Sequence, residues 1–412
     1  MKAIAQKAQL AIEGGTAVRT RPFAPWPHFE PDEIEAVAAV LRSGRINYWT
    51  GPEGNTFERE YATYVGRKHG VALANGTLAL ELALIALGIG PGDEVVVPSR
   101  TFVATASCVA VHGGRAICAE VDPDSGNVTA ETLRAALTPK TRAIIPVHMS
   151  GWPCAMDEIM ALARECKLKV IEDCAQAHGA TYQGKPVGAF GEAAVFSFCQ
   201  DKIMTTGGEG GMLLLDDEAA WKRAWSYKDH GKDHDLATAP RSGHSYRLVH
   251  TGFGTNWRMT EMQSALGRVL LRKIDARVAQ RRRNAAVLDE AFGRIPALRV
   301  VKPKSTERCS YYKYYAYVRP EKLAAGWTRE RLLDAINAEG VPCSTGGSAE
   351  IYMEQAFPPE WKPQQAGKVA RYPVARALGE TSLMFHVHST LAEPDMRDVV
   401  TAVEKVMSAA SA

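Results

Sequence analysis

Between residues 70 and about 250, short apolar runs rich in β-branched residues alternate with stretches of helical spacing, and this alternation restricts the fold more than any other feature. Val71-Ala-Leu73, Glu94-Val-Val-Val-Pro98, Ala143-Ile-Ile-Pro-Val147, Lys169-Val-Ile-Glu172, Ala194-Val-Phe-Ser-Phe198 and Met212-Leu-Leu-Leu215 read as strands. Helices are predicted from Asn75 through Leu87, from Thr101 to Val111 and from Asp157 to Cys166. Strands so short and so uniformly apolar are buried on both faces. The pattern therefore predicts an α/β fold, a mostly parallel mixed sheet between helices.

The flanks divide the chain. Residues 1–30 carry Arg21-Pro-Phe-Ala-Pro-Trp-Pro27, too proline-rich for a helix, and read as an N-terminal arm. The large domain is expected over 31–292. It opens with a helix that has Pro31 in its first turn and Ser43-Gly44 at its end, and closes with one long helix from 261. Residues 293–412 form a smaller α+β domain, with a strand from Tyr311 to Val318 and helices from Thr328, as cap, to Glu339 and from Glu393 to Ser408.

Composition excludes several function classes. The 412 residues are 46% apolar and 23% charged, which is ordinary globular usage. Lys+Arg 49 against Asp+Glu 46 leaves +3, too balanced for nucleic acid as a partner. The eight cysteines include no C-x-x-C pair and read as free thiols of a reducing compartment. Lysines interrupt Met1 to Leu10 where a secretory signal needs an apolar run, and the most apolar stretch, Leu82 to Leu87, is too short to span a bilayer. A cytoplasmic protein without a membrane partner is expected.

Three stretches carry chemistry. In Val170-Ile-Glu-Asp-Cys-Ala-Gln-Ala-His-Gly179 an acid, Asp173, follows a buried strand, where α/β proteins place ligands. Alone, Asp173 could equally cap the next helix. In Phe196-Ser-Phe-Cys-Gln-Asp-Lys-Ile-Met-Thr-Thr-Gly-Gly-Glu-Gly-Gly211, Lys202 sits between an apolar strand and glycines that allow close approach to a ligand. Most single lysines are surface residues, but a pocketed one can form a Schiff base with a carbonyl. In Leu73-Ala-Asn-Gly-Thr-Leu-Ala-Leu80, backbone amides at a helix start, with the Thr77 hydroxyl, make a phosphate site. Neither glycine run matches the nucleotide-binding fingerprints. Together the three fit pyridoxal 5′-phosphate, which needs a lysine for its aldehyde, an acid for its pyridine nitrogen and a helix start for its phosphate. Arginine could not replace the lysine, because it stays protonated and forms no imine.

At these residues the chain resembles the DegT/DnrJ/EryC1/StrS sugar aminotransferases, enzymes of the fold-type-I pyridoxal-phosphate class. The resemblance covers nearly the whole chain. It rests on Asn75-Gly-Thr77, Pro146-Val-His148, Glu172-Asp173 with Gln176 and His178-Gly-Ala180, and Phe196-Ser-Phe198 with Lys202. Further matches are Thr205-Thr206, Glu209-Gly-Gly211, and Gly254-Thr-Asn-Trp-Arg-Met259 with Glu261 and Gln263. One departure is visible: Gly207-Gly208 stand where the family usually has a single small residue.

The resemblance implies that Lys202 bonds the cofactor, Asp173 pairs with its pyridine nitrogen and Gln176 reaches its ring hydroxyl. Gly76, Thr77 and Ser197 would hold the phosphate and Phe102 would stack on the ring. Asn256 would reach the partner subunit's cofactor, which implies a homodimer with shared active sites. The implied reaction moves an amino group from glutamate or glutamine onto a nucleotide-linked keto-sugar, foremost a 4-keto-6-deoxyhexose. A 3-keto sugar or a keto-cyclitol is the alternative acceptor, and a non-catalytic regulatory protein the alternative of another class. His148, His178 and His386 are candidates for substrate contact, although core or capping roles account for each. The basic row Arg268, Arg272, Lys273, Arg277 and Arg281 to Arg283 reads as a solvated helix face, and the tyrosines at 311–317 as strand packing. Acceptor choice should depend on loops 228–250 and 343–360.

Overall fold

The computed structural model describes residues 9–240, 245–365 and 368–411, so residues 241–244 of the first of those loops and the start of the N-terminal arm lie outside the described residues. Seven strands form the main sheet: β1 (His69–Leu73), β2 (Glu94–Pro98), β3 (Arg115–Ala119), β4 (Thr141–Ile144), β5 (Lys169–Asp173), β6 (Ala193–Ser197) and β7 (Gly211–Leu215). Their order is β1-β7-β6-β5-β4-β2-β3, and only β7 runs against its neighbours. The predicted mixed, mostly parallel sheet is present. Several elements of this domain escaped the sequence reading, among them edge strand β3 and the helices Glu53–Val65, Ala130–Ala136 and Glu218–Lys228.

Period-two alternation explains the layers. Val71, Leu73, Val195, Leu213 and Leu215 face a core that includes the helices Gly76–Leu87 and Glu218–Lys228. Their neighbours Ala72, Ala194, Phe196, Met212 and Leu214 face the other layer, formed by Glu53–Val65 and the long helix Glu261–Phe292. That helix starts where expected, with Thr260 and Gln263 in a capping box. Its Leu266, Leu270, Ile274 and Val278 belong to the large-domain core, whereas Ala285, Leu288 and Phe292 pack in the small one.

The small domain has a four-stranded antiparallel sheet of β8 (Leu298–Arg299), β9 (Tyr314–Val318), β10 (Cys343–Ser344) and β11 (Ser382–Phe385), in the order β8-β9-β11-β10. The helices Arg329–Ala338, capped by Thr328, and Glu393–Ala410 cover it. The described part of the arm packs here: Leu10 joins this core, and buried Glu339 accepts the amides of Ala11 and Val18. All eight cysteines are unbridged, and no helix among the described residues is long and apolar enough to cross a membrane.

The basic row is a solvated face only at Arg272 and Arg283. The long helix runs beneath the two N-terminal helices, so Arg268 pairs with Glu53 and Glu60, and Lys273 with Glu30, Asp32 and Glu33. Arg277 also pairs with Glu33, and Arg281 is buried.

Candidate active site

The carboxyl ends of β1, β5 and β6 open on a cleft of about 1340 Å³ whose far wall comes from the small domain. Beyond β1, Asn75 caps the helix Gly76–Leu87 and accepts only the Leu78 amide, at 2.9 Å. The first amides of a helix have no acceptor inside it, so those of Gly76 and Thr77 stand at the cleft wall. A Cβ on Gly76 would lie 2.7 Å from that of Ser197. Glycine is what lets this helix start close on the end of β6.

β5 ends at Asp173. Its Oδ2 accepts the Thr105 hydroxyl at 3.0 Å, and Thr101 in turn donates to Thr105. Its Oδ1 accepts the Ala175 amide at 3.1 Å. Burial raises the Asp173 pKa, and the Ala175 amide, the Thr105 hydroxyl and the charge of Lys202 offset this only in part. Thr105 is a partner that the sequence did not disclose. It lies 68 residues away on another element, and no local signal connects the two.

Lys202 sits in the turn after β6. Its amide donates to Cys199 O at 3.1 Å, and its carbonyl accepts the Trp26 indole N–H at 3.0 Å. Its Nζ is 3.7 Å from Asp201 Oδ1 and 4.8 Å from the Tyr312 ring centre. The two-glycine departure has a backbone reason. Gly207 and Gly208 hold φ of +89° and +118°, a region costly for any residue with a Cβ. Gln176 Oε1 accepts the Ser150 amide at 2.8 Å, leaving its Nε2 donors for the cleft. Phe102 is 67% exposed on the same wall.

Gly76, Thr77, Phe102, Asp173, Gln176, Ser197 and Lys202 thus line one cleft. The other candidates do not. Asn256 is exposed and paired with Asp229 outside it. His148 and His178 lie behind the wall, fully buried. His148 donates from Nε2 to Glu172 and accepts the Cys154 amide at Nδ1. His178 accepts the Tyr61 hydroxyl and donates to Ser197 O, and burial brings its pKa down to about 4. Each is a core histidine with both ring nitrogens engaged. His386 lines a smaller neighbouring cavity of about 270 Å³.

The donor set suits pyridoxal phosphate. Asp173 is a buried carboxylate with two neutral donors in contact, so a protonated ring nitrogen would supply the cation that its charge needs. The Gly76 and Thr77 amides with the Ser197 hydroxyl form an anion cradle, and Lys202 supplies the amine.

Known proteins agree. Residues 27–404 match the DegT/DnrJ/EryC1/StrS aminotransferase family. The X-ray structure of an aminotransferase from Psychrobacter cryohalolentis is 47% identical and superposes with a TM-score of 0.91 over 94% of this chain and 99% of its own. GDP-perosamine synthase of Caulobacter vibrioides is 36% identical over 353 residues, 85% of this chain and 89% of its own. The L-glutamine:2-deoxy-scyllo-inosose aminotransferase of Streptomyces lividus is also 36% identical, over 97% of each chain. This chain therefore belongs to the DegT/DnrJ/EryC1/StrS family and is a fold-type-I, pyridoxal-phosphate-dependent aminotransferase of sugars or cyclitols.

Proposed function

We propose that the protein transfers the amino group of glutamate or glutamine to a nucleotide-linked keto-sugar, a 4-keto-6-deoxyhexose, in the cytoplasm. The size of the cleft carries this reading. At about 1340 Å³ it exceeds the roughly 300–1,000 Å³ of an ordinary small-molecule site, leaving room for a nucleotide beyond the cofactor and a hexose. Likeness to GDP-perosamine synthase supports a nucleotide-linked acceptor. A keto-cyclitol is the second reading, favoured by the end-to-end match with the deoxyinosose aminotransferase. Eight unbridged cysteines support a reducing compartment.

When bound, pyridoxal phosphate supplies an aldehyde that carries the migrating nitrogen and a ring that spreads the electrons freed at the adjacent carbon. Asp173, held by Thr105 and Ala175, would pair with the ring nitrogen and favour its protonated form. Lys202 would hold the cofactor through its Nζ and, as a free amine, would move a proton at that atom. The Gly76 and Thr77 amides and the Ser197 hydroxyl take the phosphate at the positive end of their helix. Gln176, with its Nε2 donors free, and Phe102 would hold the ring. Asn256, remote from its own cleft, serves the partner subunit's cofactor, so the working enzyme is a homodimer.

The test is direct. Purified protein is given glutamate or glutamine with nucleotide-linked 4-keto-6-deoxyhexoses, a 3-keto sugar and 2-deoxy-scyllo-inosose, and amine products are weighed by mass spectrometry. Turnover of the first class alone is expected. Turnover of the cyclitol alone transfers the assignment to the second reading. Borohydride treatment should add the cofactor's mass at Lys202.

A further inference from the structure

Asp229 is a buried carboxylate outside the cleft. It follows the helix Glu218–Lys228 and begins the long connection to the helix Glu261–Phe292. Three side chains donate to it: the Trp49 indole N–H to Oδ2 at 2.8 Å, and Lys232 Nζ and Arg258 Nη1 to Oδ1 at 2.8 and 2.7 Å. Burial pushes its pKa up, but the Lys232 hydrogen bond and the Arg258 and Lys232 charges outweigh that and hold it below the ordinary value. It is therefore ionised at neutral pH, and its bonds to the two cations are of the strong, charge-assisted kind.

This cluster brackets Asn256. The chain returns antiparallel beside Asp229: the His230 amide donates to Thr255 O at 2.9 Å and the Trp257 amide to Lys228 O at 3.1 Å, with Asp229 and Asn256 opposite one another. Arg258, two residues beyond Asn256, gives its guanidinium to Asp229 and its amide to Asn256 Oδ1, at 3.4 Å. The Asn256 acceptor is thus turned back on its own chain, and the Nδ2 donors face outward. Surface connections are the mobile parts of a fold, whereas a group that meets a ligand has to be held to within about 0.5 Å. Two backbone hydrogen bonds are a thin hold for such a group, and the ion cluster supplies the rest.

We propose that Asp229 is a positioning residue for Asn256: with Trp49, Lys232 and Arg258 it clamps the segment 256–258 so that the Asn256 amide meets the phosphate of the partner subunit's cofactor. This rests on the shared-site reading of Asn256 given above. The same segment also touches its own cleft, because Trp257 O accepts the amide of Ala74 at 3.0 Å, next to the Asn75 cap of the phosphate helix. A loosened segment could act on either cleft, and the two routes differ in additivity.

Equilibrium dialysis of the holoenzyme against pyridoxal 5′-phosphate separates them. Asp229→Asn keeps one acceptor, loses the charge and turns a donor toward the Trp49 N–H, and should weaken cofactor retention by about 3- to 10-fold. Asn256→Ala should weaken it by about tenfold, and in that background Asp229→Asn should add nothing, because its effect passes through the missing amide. Arg258→Gln, at a less buried position, should behave as Asp229→Asn does in both backgrounds and covers the case in which the Asp229 variant misfolds. Losses that multiply in the double variant overturn the proposal and assign the effect of Asp229 to its own cleft or to the fold at large. Unchanged retention in Asp229→Asn and Arg258→Gln, with Asn256→Ala still weakened, also overturns it and leaves the shared site standing. Unchanged retention in Asn256→Ala removes the shared-site reading, and the proposal with it.

Discussion

Glu172 and Asp173 are neighbours on β5, both carboxylates and both buried, and they have opposite fates. Glu172 points into the floor beneath the cleft. Burial pushes its pKa up, but the His148 hydrogen bond, the Gly191 amide and Arg67 outweigh that and hold it below the usual range. Its oxygens also accept the amides of Gly188 and Phe190, at 2.8 and 2.7 Å, and Arg67 spans to it at 3.6 Å. Asp173 points the other way, has two neutral donors and keeps a raised pKa. The contrast teaches that burial does not mark a functional acid. An unmet demand for positive charge does.

Breaking the demanding side should have the larger effects. Lys202→Ala should reduce turnover by about 10³-fold or more and abolish borohydride trapping, with the fold kept, since the side chain only reaches the cleft wall. Mass spectrometry of the reduced protein checks it. Asp173→Asn should reduce turnover by about 10²- to 10³-fold, because an amide keeps a hydrogen bond but loses the charge that holds the ring nitrogen protonated. Its stability should move oppositely. A raised carboxylate contributes stability that is full below its unfolded value near 3.8 and lost as pH rises through the folded value. At pH 7 the Asn apoprotein should therefore be at least as stable as wild type, and the difference should close below about pH 4. An Asn variant that is both active and less stable at neutral pH would reverse the reading of Asp173.

The demanding side was also the more legible one in sequence. Asp173 and Lys202 stand next to strands whose apolar runs locate the sheet's carboxyl edge, and Asn75 carries its own capping signal. What closes around them was not legible. Thr105, Ser150 and Tyr312 approach from distant elements, and sequence spacing says nothing of such contacts. Arg281 shows the same limit in reverse. Three consecutive arginines look solvated, yet the long helix turns one of them into the seam between both domains and the arm. The helix Glu53–Val65 was missed because Gly54 and Asn55 open it, where tertiary packing on the long helix outweighs poor local propensity.

On the satisfied side, Glu172→Gln should leave turnover per folded molecule nearly unchanged. It should lower unfolding stability by about 1–3 kcal/mol, because an amide cannot accept all of the buried Gly188, Phe190, Gly191 and His148 donors, while Arg67 keeps Asp216 at 2.7 Å. A lowered carboxylate contributes above its ordinary value near 4.5 and loses that contribution as pH falls through the folded value, so the gap to wild type should close in acid. Urea titrations at pH 7 and pH 4 check both statements.

The smallest effect asks whether the second chain also meets the wall's demand. Asn256 is exposed, and its Oδ1 takes only the Arg258 amide at 3.4 Å, which leaves its Nδ2 donors at the surface. One lost hydrogen bond to a phosphate should weaken cofactor retention by about tenfold in Asn256→Ala. Mixing distinguishes the chain it serves. In a dimer of one Lys202→Ala and one Asn256→Ala subunit, a shared-site arrangement puts both lesions in one site and leaves the other intact. The mixed dimer should then hold cofactor in one site with wild-type affinity and turn over at about half the wild-type rate. If Asn256 served its own cleft, each site would carry one lesion, and mixing would restore neither affinity nor rate.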